Sequence, residues 1–79
     1  ATDYEELYQD FETAINSLPI SRRKIYLLYQ IEGFSMKEIA TKLSISPKTV
    51  DVQLYRARKT IREIIKNKWF SYLLLFLMH

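Results

Sequence analysis

The chain has 79 residues, 48% of them hydrophobic, with a formal net charge of +3, a single glycine and no cysteine. That length holds one small domain whose modest core tends to lean on a partner. Without cysteine there are no disulfides and no thiolate chemistry, which fits a reducing cytoplasm. The lone histidine is the last residue, His79, and one glycine cannot build a phosphate-cradling loop. No catalytic residue, metal site, cofactor or small-molecule ligand is therefore expected.

The charge is unevenly spread. Residues 1–19 carry five acids and no Lys or Arg, whereas residues 20–68 carry twelve bases against four acids. Such polarity suits a protein with one face for nucleic acid and one end turned away from phosphate. The chain opens Ala1-Thr2-Asp3, without methionine and with nothing like a signal peptide, and reads as an excised domain.

In chain order, Tyr4, Leu7, Tyr8, Phe11, Ala14 or Ile15, and Leu18 recur at three- and four-residue steps. This predicts an amphipathic helix from about Asp3 to Ser17, capped by Thr2 or Asp3 and stopped by Leu18-Pro19. Ser21 is a candidate cap for a second helix to about Ile31, with Ile25, Leu28 and Ile31 or Leu27 on its apolar side. Arg22, Arg23 and Lys24 stand at its start, the unfavourable end for cations, unless they face phosphate. The tyrosines are expected to be half-buried packing residues, Tyr55 excepted.

The stretch from Ser35 to Lys59 organises the rest. Ser35 with Glu38 three residues on is a capping box, so a short helix is predicted over Met36 to Leu43. Ser44-Ile45 breaks it at a tight turn, where Ser44 bears strain if its backbone is left-handed. Ser46-Pro47 then starts the next helix, with serine as cap and proline at the first position, and it has room to run through Lys66. At roughly 100° per residue, Val50, Leu54, Ala57, Ile61, Ile64 and Ile65 share one stripe. Lys48, Val52, Tyr55, Arg56, Lys59, Arg62 and Lys66 take the opposite side. A cationic helix behind a capped, tightly turned partner helix suits the major groove of DNA, which admits a helix. No strand pattern survives, so the expected fold is all-α: four helices including a helix-turn-helix, with a long recognition helix.

The run Trp69 to Met78 is apolar on every side and too short to span a bilayer. The chain accordingly divides into a 1–68 domain and a 69–79 hydrophobic tail. Three ways of covering the tail stay open: folding back on the first two helices, self-association into a homo-oligomer through Trp69–Met78, or contact with a membrane surface or partner protein.

From about Glu12 to Lys66 the chain resembles region 4 of bacterial sigma factors of the extracytoplasmic-function branch. The matching pieces are Leu18-Pro19, Ile25 to Leu28, Gly33-Phe34-Ser35, Lys37-Glu38-Ile39-Ala40 with Leu43, Ser46 with Thr49-Val50, and Leu54-Tyr55-Arg56-Ala57-Arg58-Lys59. The centre is also similar to the effector domain of LuxR-type response regulators, but Leu54 to Lys59 follows the sigma pattern. The resemblance implies a domain that reads the upstream (−35) promoter element in double-stranded DNA and docks on the flap of RNA polymerase, with an anti-sigma factor as a further partner class. A protein-interaction module with a masked DNA face is the alternative. Carried onto this face, Lys48, Asp51, Val52, Tyr55 and Arg56 are expected to meet bases, Asp51 through a cytosine amino group and Val52 and Tyr55 through thymine methyls. Ser35, Lys37, Lys42, Thr49, Arg58 and Lys59 are expected to hold phosphate, with Arg58 at the edge of the set.

Overall fold

The computed structural model describes residues 3–77, with side chains from Tyr4 to Lys66 and at Trp69. Its four helices bear out the all-α expectation: α1 is Asp3–Asn16, α2 is Ile20–Gln30, α3 is Met36–Leu43 and α4 is Pro47–Leu77. Of the two residues expected to cap α1, Asp3 is already its first helical residue and Thr2 lies outside the described residues, as does His79.

The local reasons for these boundaries are visible in hydrogen bonds. Ser17 and Leu18 close the last turn of α1 on Thr13, Ala14 and Ile15 carbonyls. Pro19, with φ −53° and ψ 146°, is itself the N-cap of α2, and its carbonyl takes the first helical bond from Arg23 N–H at 2.8 Å. Ser21 is therefore already inside the helix and caps nothing, because Pro19 supplies the extended residue that an N-cap needs. Gly33, at φ +79°, turns the chain out of α2, and Phe34 N–H returns to Leu28 O at 3.0 Å.

The α3 cap forms as the spacing predicts. Ser35 Oγ accepts from Glu38 N–H at 3.1 Å while the Glu38 carboxylate accepts from Ser35 N–H at 3.0 Å. At the other end Ser44 is left-handed, with φ 56° and ψ 45°. Ile45 N–H reaches Ala40 O at 3.0 Å and Ser44 N–H reaches Thr41 O at 3.4 Å, the paired bonds of a Schellman ending. Ser46 Oγ then accepts from Thr49 N–H at 3.0 Å to start α4 behind Pro47.

The core is one cluster: Ala14, Ile15 and Leu18 from α1, Ile25 and Tyr26 from α2, Ile39 and Ala40 from α3, and Val50, Leu54, Ala57 and Ile61 from α4. All four helices meet there, and α4 is the common wall. Ile39, Leu54 and Val50 are the largest fully buried side chains, each worth about 1.5–3 kcal/mol in burial. Both candidates Ala14 and Ile15 are inside, whereas Ile31 is exposed because the helix has already ended at Gln30. Ile64 keeps 39% of its surface despite its place on the apolar stripe. Its angle is right, but α1 covers the other flank, where Phe11 lines a groove with Ile61 and Ile65. Tyr4 and Tyr8 are exposed, so only Tyr26 and Tyr29 among the described tyrosines act as packing residues.

Helix α4 does not stop at Lys66. It runs unbroken for 31 residues, about 46 Å at about 1.5 Å per residue, and so spans the 48 Å long axis of the molecule. Trp69, the first residue of the apolar run, donates its indole N–H to Asp10 of α1 at 2.9 Å. The side chains beyond it lie outside the described residues. Among the described residues, no helix is long and apolar enough to cross a membrane.

Candidate nucleic-acid interface

The burial of Val50, Leu54, Ala57 and Ile61 fixes how α4 is rolled about its axis, and the opposite face is thereby turned outward. Lys48, Thr49, Asp51, Tyr55, Arg56, Arg58 and Lys59 are all exposed, and Val52 is half-buried among them. Tyr55 leaves 65% of its surface free, a large aromatic set between cations. Lys48, Asp51, Val52, Tyr55 and Arg56, the expected base-reading set, thus form one continuous surface on the first turns of α4.

The expected phosphate contacts are more dispersed, and several have partners. Thr49 Oγ1 lies 2.9 Å from Ser46 Oγ, a hydroxyl pair at the helix start. Lys42 Nζ sits 4.5 Å above the Phe34 ring, and the Arg58 guanidinium stands 5.2 Å from the Tyr29 ring centroid. Both cations are held by aromatic faces without losing their charge. Arg58 belongs to a flank groove of about 450 Å³ that it lines with Phe11, Tyr26, Gln30, Ile61, Arg62 and Ile65. Burial pushes the Tyr26 phenol up, and the neighbouring Arg58 charge opposes that shift.

At the α3 entrance the capping box uses the Ser35 and Glu38 amides. This leaves the N–H groups of Met36 and Lys37 and the Ser35 hydroxyl proton to meet an anion, with exposed Lys37 beside them. The Ser35 bonds hold the Glu38 carboxyl below the usual carboxylate range, so it is charged at neutral pH. A phosphate here would meet two free amides and one carboxylate.

Gln53 was not among the expected contacts, and its partner comes from the Arg22-Arg23-Lys24 run already read as cations that either face phosphate or stand exposed. Arg22 Nε of α2 donates to Gln53 Oε1 of α4 at 2.9 Å, across 31 residues of sequence. Gln53 lies one turn from Thr49 and from Arg56, which is the sequence signal that places it beside the reading face. Arg23 turns inward instead: its Nη2 reaches Leu18 O at 3.4 Å, and its buried Nε has no hydrogen-bond partner. The run Arg22-Arg23-Lys24 is therefore three different environments, with Lys24 exposed.

Comparison with known proteins places this architecture. The family model "Sigma-70, region 4" matches residues 8–61, more than half of the chain. A probable RNA polymerase sigma factor of Haemophilus influenzae is 28% identical over 64 residues, covering 81% of this chain and 33% of that protein. The chain thus spans about a third of that relative's length. No solved structure matches. The likeness to region 4 of an extracytoplasmic-function sigma factor, read first from Leu18-Pro19 through Lys59, is borne out by these matches. The chain belongs to the sigma-70 region 4 family.

Proposed function

We propose that this domain recognises the −35 promoter element on behalf of an extracytoplasmic-function sigma factor and so helps direct transcription initiation. The observation that carries the reading is the exposed cationic and aromatic face on the first turns of α4, held outward by the α3–turn–α4 unit. In this reading Lys48, Asp51, Val52, Tyr55 and Arg56 meet base edges in the major groove, while Ser35, Lys37, Lys42, Thr49 and Lys59 hold the backbone. Arg58, on the flank beside Tyr29, reaches phosphate only at the margin of the contact. The 1–68 unit does the reading, and residues 69–77 continue its last helix. The match to the sigma-70 region 4 family model supports this over the LuxR-type alternative.

The polymerase flap fits the opposite side. Tyr8, Phe11, Ile15, Leu27 and Ile31, with Glu12 and Asn16, line an apolar groove of about 310 Å³ between α1 and α2, away from the cationic face. The experiment that tests the DNA reading is a binding series on selected and mixed-sequence duplexes at several salt concentrations. Arg56→Ala should cost about 1–3 kcal/mol on the selected site and relax preference at one base pair. Lys42→Ala should weaken all duplexes alike and lower the salt slope by about one. Equal effects of both substitutions on both duplexes would remove Arg56 from the base-reading set.

A further inference from the structure

The bond between Arg22 and Gln53 has a chemical consequence. A carboxamide has one acceptor oxygen and a two-proton donor nitrogen, and a guanidinium only donates. The contact therefore leaves no ambiguity over which way the amide points: Gln53 Oε1 faces Arg22, and its Nε2 faces away. Only Nε of Arg22 is engaged, so both of its Nη groups are also unspent among the described residues. Both side chains are half-buried, held against the protein yet open on one side. What this pair presents outward is donors alone, with one positive charge.

Its place on the fold says what those donors meet. Gln53 lies about 60° round α4 from Val50, between the buried stripe and the exposed face. The exposed Thr49 and Arg56 stand one turn away on the same flank. When a helix enters the major groove by its outer face, its flanks face the sugar–phosphate walls. We propose that Arg22 and Gln53 form a phosphate clamp joining α2 to α4, in which Arg22 orients the Gln53 amide and both donate to one backbone phosphate. This rests on the DNA reading above and adds to it a contact from a second helix. Because a phosphate contact is independent of sequence, a mixed-sequence duplex is a sufficient probe.

The deciding substitution is Gln53→Glu in the full chain. A glutamate keeps and strengthens the link to Arg22, so a purely structural brace would survive it. A clamp would not, because the new carboxylate faces the phosphate and neutralises the arginine that should meet it. Binding of the mixed duplex at low salt should fall roughly fivefold or more, while the melting temperature stays level or rises. Arg22→Gln, which can still hydrogen-bond to Gln53 but carries no charge, should lower the salt slope by about one. If both variants bind like the unsubstituted chain with unchanged slope, the pair is only a brace and the clamp is overturned. If the unsubstituted chain itself fails to bind the duplex at low salt, the DNA reading falls first and takes the clamp with it.

Discussion

Ser44 offers a stringent test of how the two central helices are joined. It is the described non-glycine residue with positive φ, at 56°, and it sits at the turn between α3 and α4. A left-handed backbone with a Cβ costs about 1–2 kcal/mol. Replacing Ser44 with glycine removes that cost but frees the unfolded chain, which returns about 0.4–1 kcal/mol. The Ser44 N–H bonds to Ala40 and Thr41 carbonyls are backbone contacts and survive the change. The net gain should be about 0.5–1 kcal/mol, which for a domain this small is a rise in melting temperature of about 3–6 °C. Thermal denaturation followed by circular dichroism measures it directly. Ser44→Ala is the control, since it keeps the Cβ and so keeps the strain. Should Ser44→Gly melt no higher than Ser44→Ala, the strain at this turn is not stored as the dihedral angles indicate.

Gly33 is the mirror case: at φ +79° with open space around it, Gly33→Ala should lose about 1–2 kcal/mol through backbone strain alone, seen as a lower denaturation midpoint. The Glu38 carboxyl has its pKa lowered in the folded state by its Ser35 bonds, so its contribution is present above the ordinary value of 4.5 and is lost as pH falls through the lower folded value. Melting curves of the parent and of Glu38→Gln should therefore separate at neutral pH and converge on acidification. Trp69→Phe removes the indole donor to Asp10 and should cost about 1–2 kcal/mol in chemical denaturation, with no change in duplex binding, because that contact lies between α1 and the far half of α4.

What could be read from the sequence was what local spacing decides. The Ser35–Glu38 box and Ser46-Pro47 act within one helical turn, and both helix starts fall where those residues place them. Ser21 is a cap candidate by residue type, yet α2 starts before it, because Pro19 both stops α1 and supplies the extended cap of α2. Burial followed helical angle only where a neighbour exists: Ile61 is buried and Ile64 is not, although both lie on the stripe. The end of α4 was illegible for a related reason. From Trp69 onward no polar face remains, and no glycine or proline marks a stop. Gln53 was missed because its angle belongs to neither face and its partner is 31 residues away, a relation that no periodicity encodes.

The reading face depends on the roll of α4, and two kinds of contact set it. Val50, Leu54, Ala57 and Ile61 anchor one stripe, and close packing of these buried side chains fixes the roll. The flanks are more directional. Gln53 is held by Arg22 on one side, and Arg58 lies over Tyr29 on the other. These two α4 positions are about 140° apart around the helix, yet both partners belong to α2. Helix α2 therefore straddles α4 and resists roll in either direction, since turning one way stretches the Arg22 bond and turning the other draws Arg58 off the ring. Helix α1 packs directly on α4 as well, where Asp10 accepts from Trp69, so α1 and α2 together hold the helix that presents Lys48 to Lys59.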